Sequence, residues 1–252
     1  MKWDRARAKS ALLFLLVLAV LSGLAWRSGV SVPADAPLMG DEALVDETQD
    51  SRPKLIALTF DDGPRRSTTT ALLDGLAERG VHATFFLIGA QVAACRDVVR
   101  RMDREGHQIG IHTFDHVRLT DLNRADFDVQ VEKTRAALKS ALGHNDFLLR
   151  PPYGMLDESV KAWAGCPIIL WSVDPEDWKD RDAGRVVDQV TAQARDGGII
   201  LMHDIFPESV EAALEIVDTL HAQGYYFCTI EELFAARQIP LEAGKSYWNA
   251  YP

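Results

Sequence analysis

The chain has 252 residues, 47% of them hydrophobic, which is enough for one substantial core. Its 27 Lys and Arg against 37 Asp and Glu leave a formal net charge of −10. That balance argues against a nucleic-acid surface and against broad electrostatic adhesion to anionic lipid. The cysteines Cys95, Cys166 and Cys228 form no C-x-x-C pair, so a structural zinc knuckle is not expected. Cys166 falls at the edge of one predicted strand and Cys228 within another, and both read as small buried residues.

Residues 1–10 carry Lys2, Arg5, Arg7 and Lys9 against one acid, Asp4, and an apolar run fills 11–26. A positive flank before an apolar core is the pattern of a signal anchor or a signal peptide. The run is at the short end for a span and long for a signal core. The small-residue cleavage sites Gly23-Leu24-Ala25 and Ala34-Asp35-Ala36 are both weak, which favours an uncleaved membrane anchor. Either way, the rest of the chain is exported, facing outside the cell membrane or secreted. Residues 27–53, with Pro33, Pro37, Pro53 and scattered acids, read as an acidic linker.

From Lys54 short apolar runs alternate with helical patterns. Strands are predicted at 55–60, 83–88, 108–112, 146–150, 167–173, 198–203 and 225–230. Helices are predicted near 67–79, 93–105, 123–142, 157–164, 183–195, 209–223 and 231–237. Phe127, Val131, Leu138 and Leu142 share one helical face, as do Val210, Ala213, Leu214, Val217 and Leu220. Glycines such as Gly80 and Gly143 stand just past helix ends, where a left-handed residue is wanted. Repeated β-then-α units imply an α/β fold with a parallel sheet and helices outside. An open doubly wound sheet and a barrel both fit. Seven units without a Gly-rich phosphate loop favour a distorted (β/α)7 barrel, one catalytic domain over 54–238. Residues 239–252 form a tail whose Tyr247, Trp248 and Tyr251 pack back on the barrel or make an aromatic contact site.

In such folds chemistry sits at the carboxyl ends of the strands. Strand ends here carry Asp61-Asp62, His112 to His116, Arg150 to Tyr153, Asp174 to Trp178, and Leu201 to Asp204. His112 and His116 are four apart, which on a helical turn puts both imidazoles on one side. Two imidazoles and one strand-end carboxylate make a three-ligand metal site with open positions. Arg150 suits a carboxylate that is not on the metal. Asp177 and His203 suit a carboxylate–imidazolium pair. Trp171, Trp178 and Phe206 suit either the floor of a sugar site or core packing. His82, His107, His144 and His221 read as exposed or as capping helix ends.

These pieces in this order resemble the polysaccharide deacetylase family, carbohydrate esterase family 4 with its NodB homology domain, over about 54–235. The T-F-D-D-G motif is Thr59 to Gly63, H-[ST]-x-x-H is His112 to His116, and R-x-P-Y is Arg150 to Tyr153. D-x-x-D-W is Asp174 to Trp178, and L-x-H is Leu201 to His203. The resemblance implies a distorted (β/α) barrel and metal-dependent removal of N- or O-acetyl groups from polysaccharides. It implies that Asp62, His112 and His116 hold one divalent ion, usually zinc, with cobalt or manganese as replacements. It implies Asp61 as general base oriented by Arg150, and the Tyr153 backbone N–H at the oxyanion. It implies His203 as general acid tuned by Asp177, with Leu201 and Trp178 shaping the acetyl pocket alongside Tyr153. Val117 stands where many members have proline, which touches only the path of that loop.

The substrate implied is N-acetylglucosamine of peptidoglycan, with chitooligosaccharide and acetyl-xylan as alternatives. Hydrolysis of a non-sugar cyclic C–N bond on the same scaffold is a further reading. A silent glycan-binding protein would lack one of Asp61, His112, His116 or His203, and all are present. Two histidines and a carboxylate also serve mononuclear iron oxygenases, whose usual scaffold is a β-sandwich.

Overall fold

The computed structural model describes residues 53–252. The basic flank, the apolar run at 11–26 and nearly all of the linker lie outside them. Among the described residues no helix is long and apolar enough to cross a membrane.

The central strand is β1 (Lys54–Asp61), buried at every position after the first. Its run Leu55-Ile56-Ala57-Leu58 is apolar on both faces, as a parallel strand covered on both sides requires. On one side β1 pairs with β5 (Gly198–His203). On the other, its first half pairs with β6 (Tyr225–Phe227) and its second half with β2 (Thr84–Leu87). Beyond β2 lies β3 (Gln108–Ile111), and every pairing is parallel.

The pairing then thins. The strand predicted at 146–150 contributes only bridges at Leu149, to Ile111 and to Ile168. The strand predicted at 167–173 shortens to β4 (Ile168–Ile169), and Val173 makes an isolated bridge to Ile200 of β5. These bridges carry the parallel order from β3 towards β5, but no continuous ladder closes a barrel among the described residues. The cause is local. Pro151 and Pro152 follow Leu149, and Pro167 precedes β4, so ladder donors are missing at both places.

The helices follow the predicted spacing: α1 (Arg66–Arg79), the single turn α2 (Gly89–Val92), α3 (Arg96–Arg104), α4 (Arg124–Leu142), α5 (Glu158–Trp163), the single turn α6 (Asp177–Asp180), α7 (Ala183–Gln193), α8 (Pro207–Ala222) and α9 (Ile230–Ala236). Asn123 caps α4 by accepting from the Asp126 N–H, and Gly143 ends it at φ 85°. Thr229 and Glu232 form a reciprocal capping box on α9. In α4, Phe127, Val131, Thr134, Leu138 and Ala141 are buried. In α8, Val210, Ala213, Ile216, Val217 and Leu220 are buried and Leu214 only partly so. Each fully buried aliphatic side chain of such a face contributes about 1.5–3 kcal/mol of transfer free energy.

The tail adds a strand that the pattern did not announce. Residues Ser246–Tyr247 form β7 and pair in parallel with β4. Tyr247 stacks edge-on against Phe234 at 5.1 Å, and the Ala250 N–H donates to the Gly197 carbonyl. The tail therefore packs on the domain, leaving Trp248 and Tyr251 exposed. All three cysteines are free and buried.

Candidate active site

Parallel register sets the geometry of the strand-end rim. Asp61 closes β1 and lies on the same rung as His203 of β5. A strand alternates its faces, so Thr59 and Asp61 share one side and Phe60 takes the other. Arg150 meets both of them. Its Nη1 donates to Thr59 Oγ1 at 2.8 Å and to Asp61 Oδ1 at 2.9 Å. Its Nε and Nη2 donate to the carbonyls of Ile169 and Leu170, each at 3.1 Å. The guanidinium is fully buried and lies 4.1 Å from the Phe86 ring centroid. A buried charge is tolerable only when its donors are engaged. Four bonds fix its plane and thereby the Asp61 carboxylate, a task that the point charge of a lysine cannot perform.

Asp62 leaves the strand in another direction. Its φ of 73° is left-handed, a conformation Asp adopts more readily than most residues. That turn separates two adjacent carboxylates that would otherwise repel. Asp62 Oδ1 lies 3.2 Å from His116 Nε2 and 3.5 Å from His112 Nε2. Asp61 Oδ2 stands 3.6 Å from the same His112 Nε2.

The two histidines are brought together by a loop rather than the helical turn their spacing suggested. Thr113 and His116 take φ of 61° and 56°, and the rings end 5.1 Å apart. The His112 Nδ1–H donates to the Arg150 carbonyl at 2.8 Å, which leaves Nε2 with a free lone pair towards Asp62. Ligand atoms of Asp62, His112 and His116 all lie within 4.8 Å of one another.

These residues fit a metal ion. Asp62 Oδ1 is buried without a hydrogen-bond partner, a costly position for an oxygen unless a cation meets it. Zinc bonds of ~2.0–2.1 Å in a tetrahedron separate ligand atoms by about 3.3 Å, close to the two contacts Asp62 makes. Burial lowers the His116 pKa against the opposing charge of Asp62, and the neutral imidazole is the ligating form.

Asp177 opens α6 and is 1% exposed. It accepts from the His203 backbone N–H at 2.9 Å and from the His203 Nδ1–H at 2.8 Å. Burial opposes the imidazolium, but the Asp177 hydrogen bond and charge, aided by Asp61 and Asp62, raise His203 to about 9. With Nδ1–H committed to Asp177, Nε2 is the atom left to serve a substrate. Tyr153 sits at φ 62° with its phenol exposed and its hydroxyl 3.3 Å from His116 Nδ1. Trp178 is exposed beside Asp177, and Leu201 is buried in β5 two residues before His203. Trp171 is half-buried and packs so close to Gly154 (φ 64°) that a Cβ there would strike the indole.

Direct contacts thus join Asp61, Asp62, His112, His116, Arg150 and Tyr153, with His203 on the adjacent strand and Asp177 of α6 joined as a second group. Trp178 and Leu201 share the rim only through their chain neighbours. Thr59, quoted as part of a motif, turns out to be a ligand of the Arg150 guanidinium and donates its own proton to the Ile200 carbonyl at 2.6 Å.

Asp204 carries a role that sequence reasoning did not assign. It is 1% exposed, accepts from Thr69 Oγ1, and its Oδ1 has no partner. Burial, with the nearby Asp62 charge adding, pushes it up to about 7 against the Thr69 hydrogen bond. It lies so close to Gly63 that no side chain fits at that position. His107 also departs from expectation. It is a core residue whose Nδ1 accepts from the Ala83 N–H, packed edge-on against Phe85, and not an exposed or capping one.

Comparison with known proteins places the chain among its relatives. The family model described as polysaccharide deacetylase matches residues 48–165. The chain is 43% identical over 196 residues to a peptidoglycan-N-acetylglucosamine deacetylase, PgdA, of Listeria monocytogenes, covering 78% of this chain and 41% of that protein. It therefore spans about two fifths of that relative's length. It is 36% identical to a chitooligosaccharide deacetylase of Sinorhizobium fredii, covering 68% of this chain and 87% of the relative. The fold matches a family 4 acetyl xylan esterase from Clostridium thermocellum in complex with a cobalt ion, at a TM-score of 0.74 and 30% identity, over 78% of this chain and 98% of that one. With its motifs on one rim and the Sinorhizobium relative matched over 87% of its length, the chain belongs to the polysaccharide deacetylase family.

Proposed function

We propose that the chain is a metal-dependent hydrolase that removes N-acetyl groups from N-acetylglucosamine of peptidoglycan, outside the cell membrane. The observation that carries this reading is the placement of Asp61 and His203 on one rung of the neighbouring strands β1 and β5, each held by its own buried partner, beside the Asp62, His112 and His116 cluster. Export is supported by the basic flank and apolar run of residues 1–26. Peptidoglycan is supported by the name of the Listeria relative.

Amide hydrolysis needs an activated water, a stabilised oxyanion and a protonated leaving amine. A divalent ion held by Asp62, His112 and His116, zinc or cobalt by the donor set, would supply Lewis acidity that lowers a water's pKa to about 7 and polarises the acetyl carbonyl. Asp61, held by Arg150, takes the proton of the attacking water. The Tyr153 N–H donates to the developing oxyanion, where one such donor is typically worth about 10²–10³ in rate. His203 gives its Nε2 proton to the amine, and Asp177 keeps it charged until then. The same parts serve an acetyl ester, so acetyl-xylan stays in the substrate panel.

The test is acetate release by the purified chain from peptidoglycan, N-acetylglucosamine oligomers and acetyl-xylan, with and without a chelator. The reading expects chelator-sensitive release, largest on peptidoglycan. Full release after Asp61→Ala, or none from any glycan with zinc or cobalt supplied, contradicts it. Activity confined to a small cyclic amide would move the chain to non-sugar C–N chemistry.

A further inference from the structure

The rim around the cluster carries a charge pattern that the reaction itself does not use. The chain is acidic, with a formal net charge of −10. Yet two exposed guanidiniums stand on aromatic rings at this rim. The Arg118 Cζ lies 5.2 Å from the Tyr153 ring centroid, and the Tyr153 hydroxyl reaches His116. The Arg181 Cζ lies 4.2 Å from the Phe206 ring centroid, three residues past His203. Arg181 directly follows α6, which carries Asp177 and Trp178. The two cations therefore approach the site from its His116 side and from its His203 side.

Neither arginine has an acidic partner among the described residues. Four acids close to them in sequence are engaged elsewhere. Glu176 pairs with Lys179 at 2.8 Å, and Asp180 with Arg185 at 2.7 Å. Asp115 accepts from Gln130 Nε2 at 2.9 Å, and Asp182 caps α7 by accepting from the Arg185 N–H at 3.1 Å. These four acids are thus paired or occupied while the two arginines are left to solvent. Stacking on a ring holds each guanidinium in place and leaves its edge donors available. An edge of that kind suits a carboxylate, bidentately.

We propose that Arg118 and Arg181 recognise carboxylate groups on the glycan, so that the site prefers an anionic N-acetylated polysaccharide over a neutral one. This rests on the deacetylase reading above and narrows its substrate class. Aromatic Tyr153 and Trp178 offer faces to sugar rings, and the flanking arginines read the acidic substituents between them. Exposed pairs are individually weak and screened by salt, so the effect lies in substrate capture rather than in the chemical step.

The experiment compares one peptidoglycan oligomer in two forms, with its carboxyls intact and with them converted to amides. The readout is the ratio of kcat/KM, intact over amidated, for the metal-loaded full chain. The proposal expects a ratio well above one that declines between about 0.05 and 0.5 M salt. In the double variant Arg118→Gln, Arg181→Gln the ratio falls about fivefold. Losses common to both forms cancel in the ratio, so any disturbance of Tyr153 does not mimic the result. Arg181→Glu, which leaves Tyr153 untouched, lowers the ratio further. A wild-type ratio near one, or a ratio unmoved by both variants, overturns the proposal while acetate release leaves the deacetylase reading intact. If no acetate appears from either form, isothermal titration of the two glycans still decides. Tighter binding of the intact form that the double variant loses supports recognition of carboxylates, and equal affinities overturn it.

Discussion

Replacing Asp177 by Asn keeps the volume beside His203 and removes the charge that holds it protonated. Asn also offers one acceptor where two donors now converge, the His203 N–H and Nδ1–H. In the folded protein His203 titrates at about 9 against an ordinary 6.5. The difference corresponds to roughly 3 kcal/mol between the two protonation states. A raised pKa contributes stability that is complete below about 6.5 and is lost as pH climbs through about 9. Without Asp177, burial pulls the imidazole back to 6.5 or lower. At pH 8 the protonated fraction then drops about thirtyfold. The assay is kcat/KM for acetate release from pH 5 to 10, in wild type and Asp177→Asn. The alkaline limb is expected to move down by about two pH units, and the extra stability of the wild type to vanish above pH 9. A bound dication lowers both alkaline limbs alike, so the separation between the profiles is the measured quantity. Coincident alkaline limbs would refute the reasoning, because the Asp177 contact would then not govern the acid.

Arg150→Met leaves Asp61 without its buried partner and removes four hydrogen bonds. Breaking a buried pair costs about 3–5 kcal/mol, which urea denaturation reads directly; a loss under 1 kcal/mol would contradict the buried geometry. Arg150→Lys should recover part of that stability without recovering acetate release, since its ammonium cannot span Thr59, Asp61 and the two carbonyls together. Gly63→Ala drives a methyl into the Asp204 carboxylate, and overpacking of this kind costs about 1–3 kcal/mol. Lower melting temperature and weaker zinc retention are expected, because Asp62 is the neighbouring residue; unchanged values of both would count against the crowding at this turn.

Much of the rim was readable because parallel strands deliver their last residues to one edge. Asp61, His112, Arg150 and His203 each end or follow an apolar run, so their convergence follows from the topology alone. Other parts needed three dimensions. The His112 and His116 spacing suggested a helical turn, but left-handed residues at Thr113 and His116 achieve the same closeness in a loop, and nothing in side-chain periodicity announces positive φ. The Leu149 segment is apolar like a strand, yet the prolines beside it leave too few donors for a ladder. Strand β7 was hidden because two residues carry no alternation, and its place depends on β4 offering an open edge. Asp204 was visible next to His203, but its burial against Gly63 and Thr69 depends on the residue just past β5 meeting the turn after β1 and the first turn of α1, remote in sequence.

The central claim is that two adjacent carboxylates divide the work, Asp62 towards the metal and Asp61 towards the water proton. Metal content and acetate release measured side by side in Asp61→Asn and Asp62→Asn test it most directly. The account predicts that Asp61→Asn keeps close to one equivalent of metal and loses about 10²-fold or more of its rate, as removal of a general base does. It predicts that Asp62→Asn loses both metal and activity. Retained metal in Asp62→Asn with metal lost from Asp61→Asn would reverse the two roles and contradict the account.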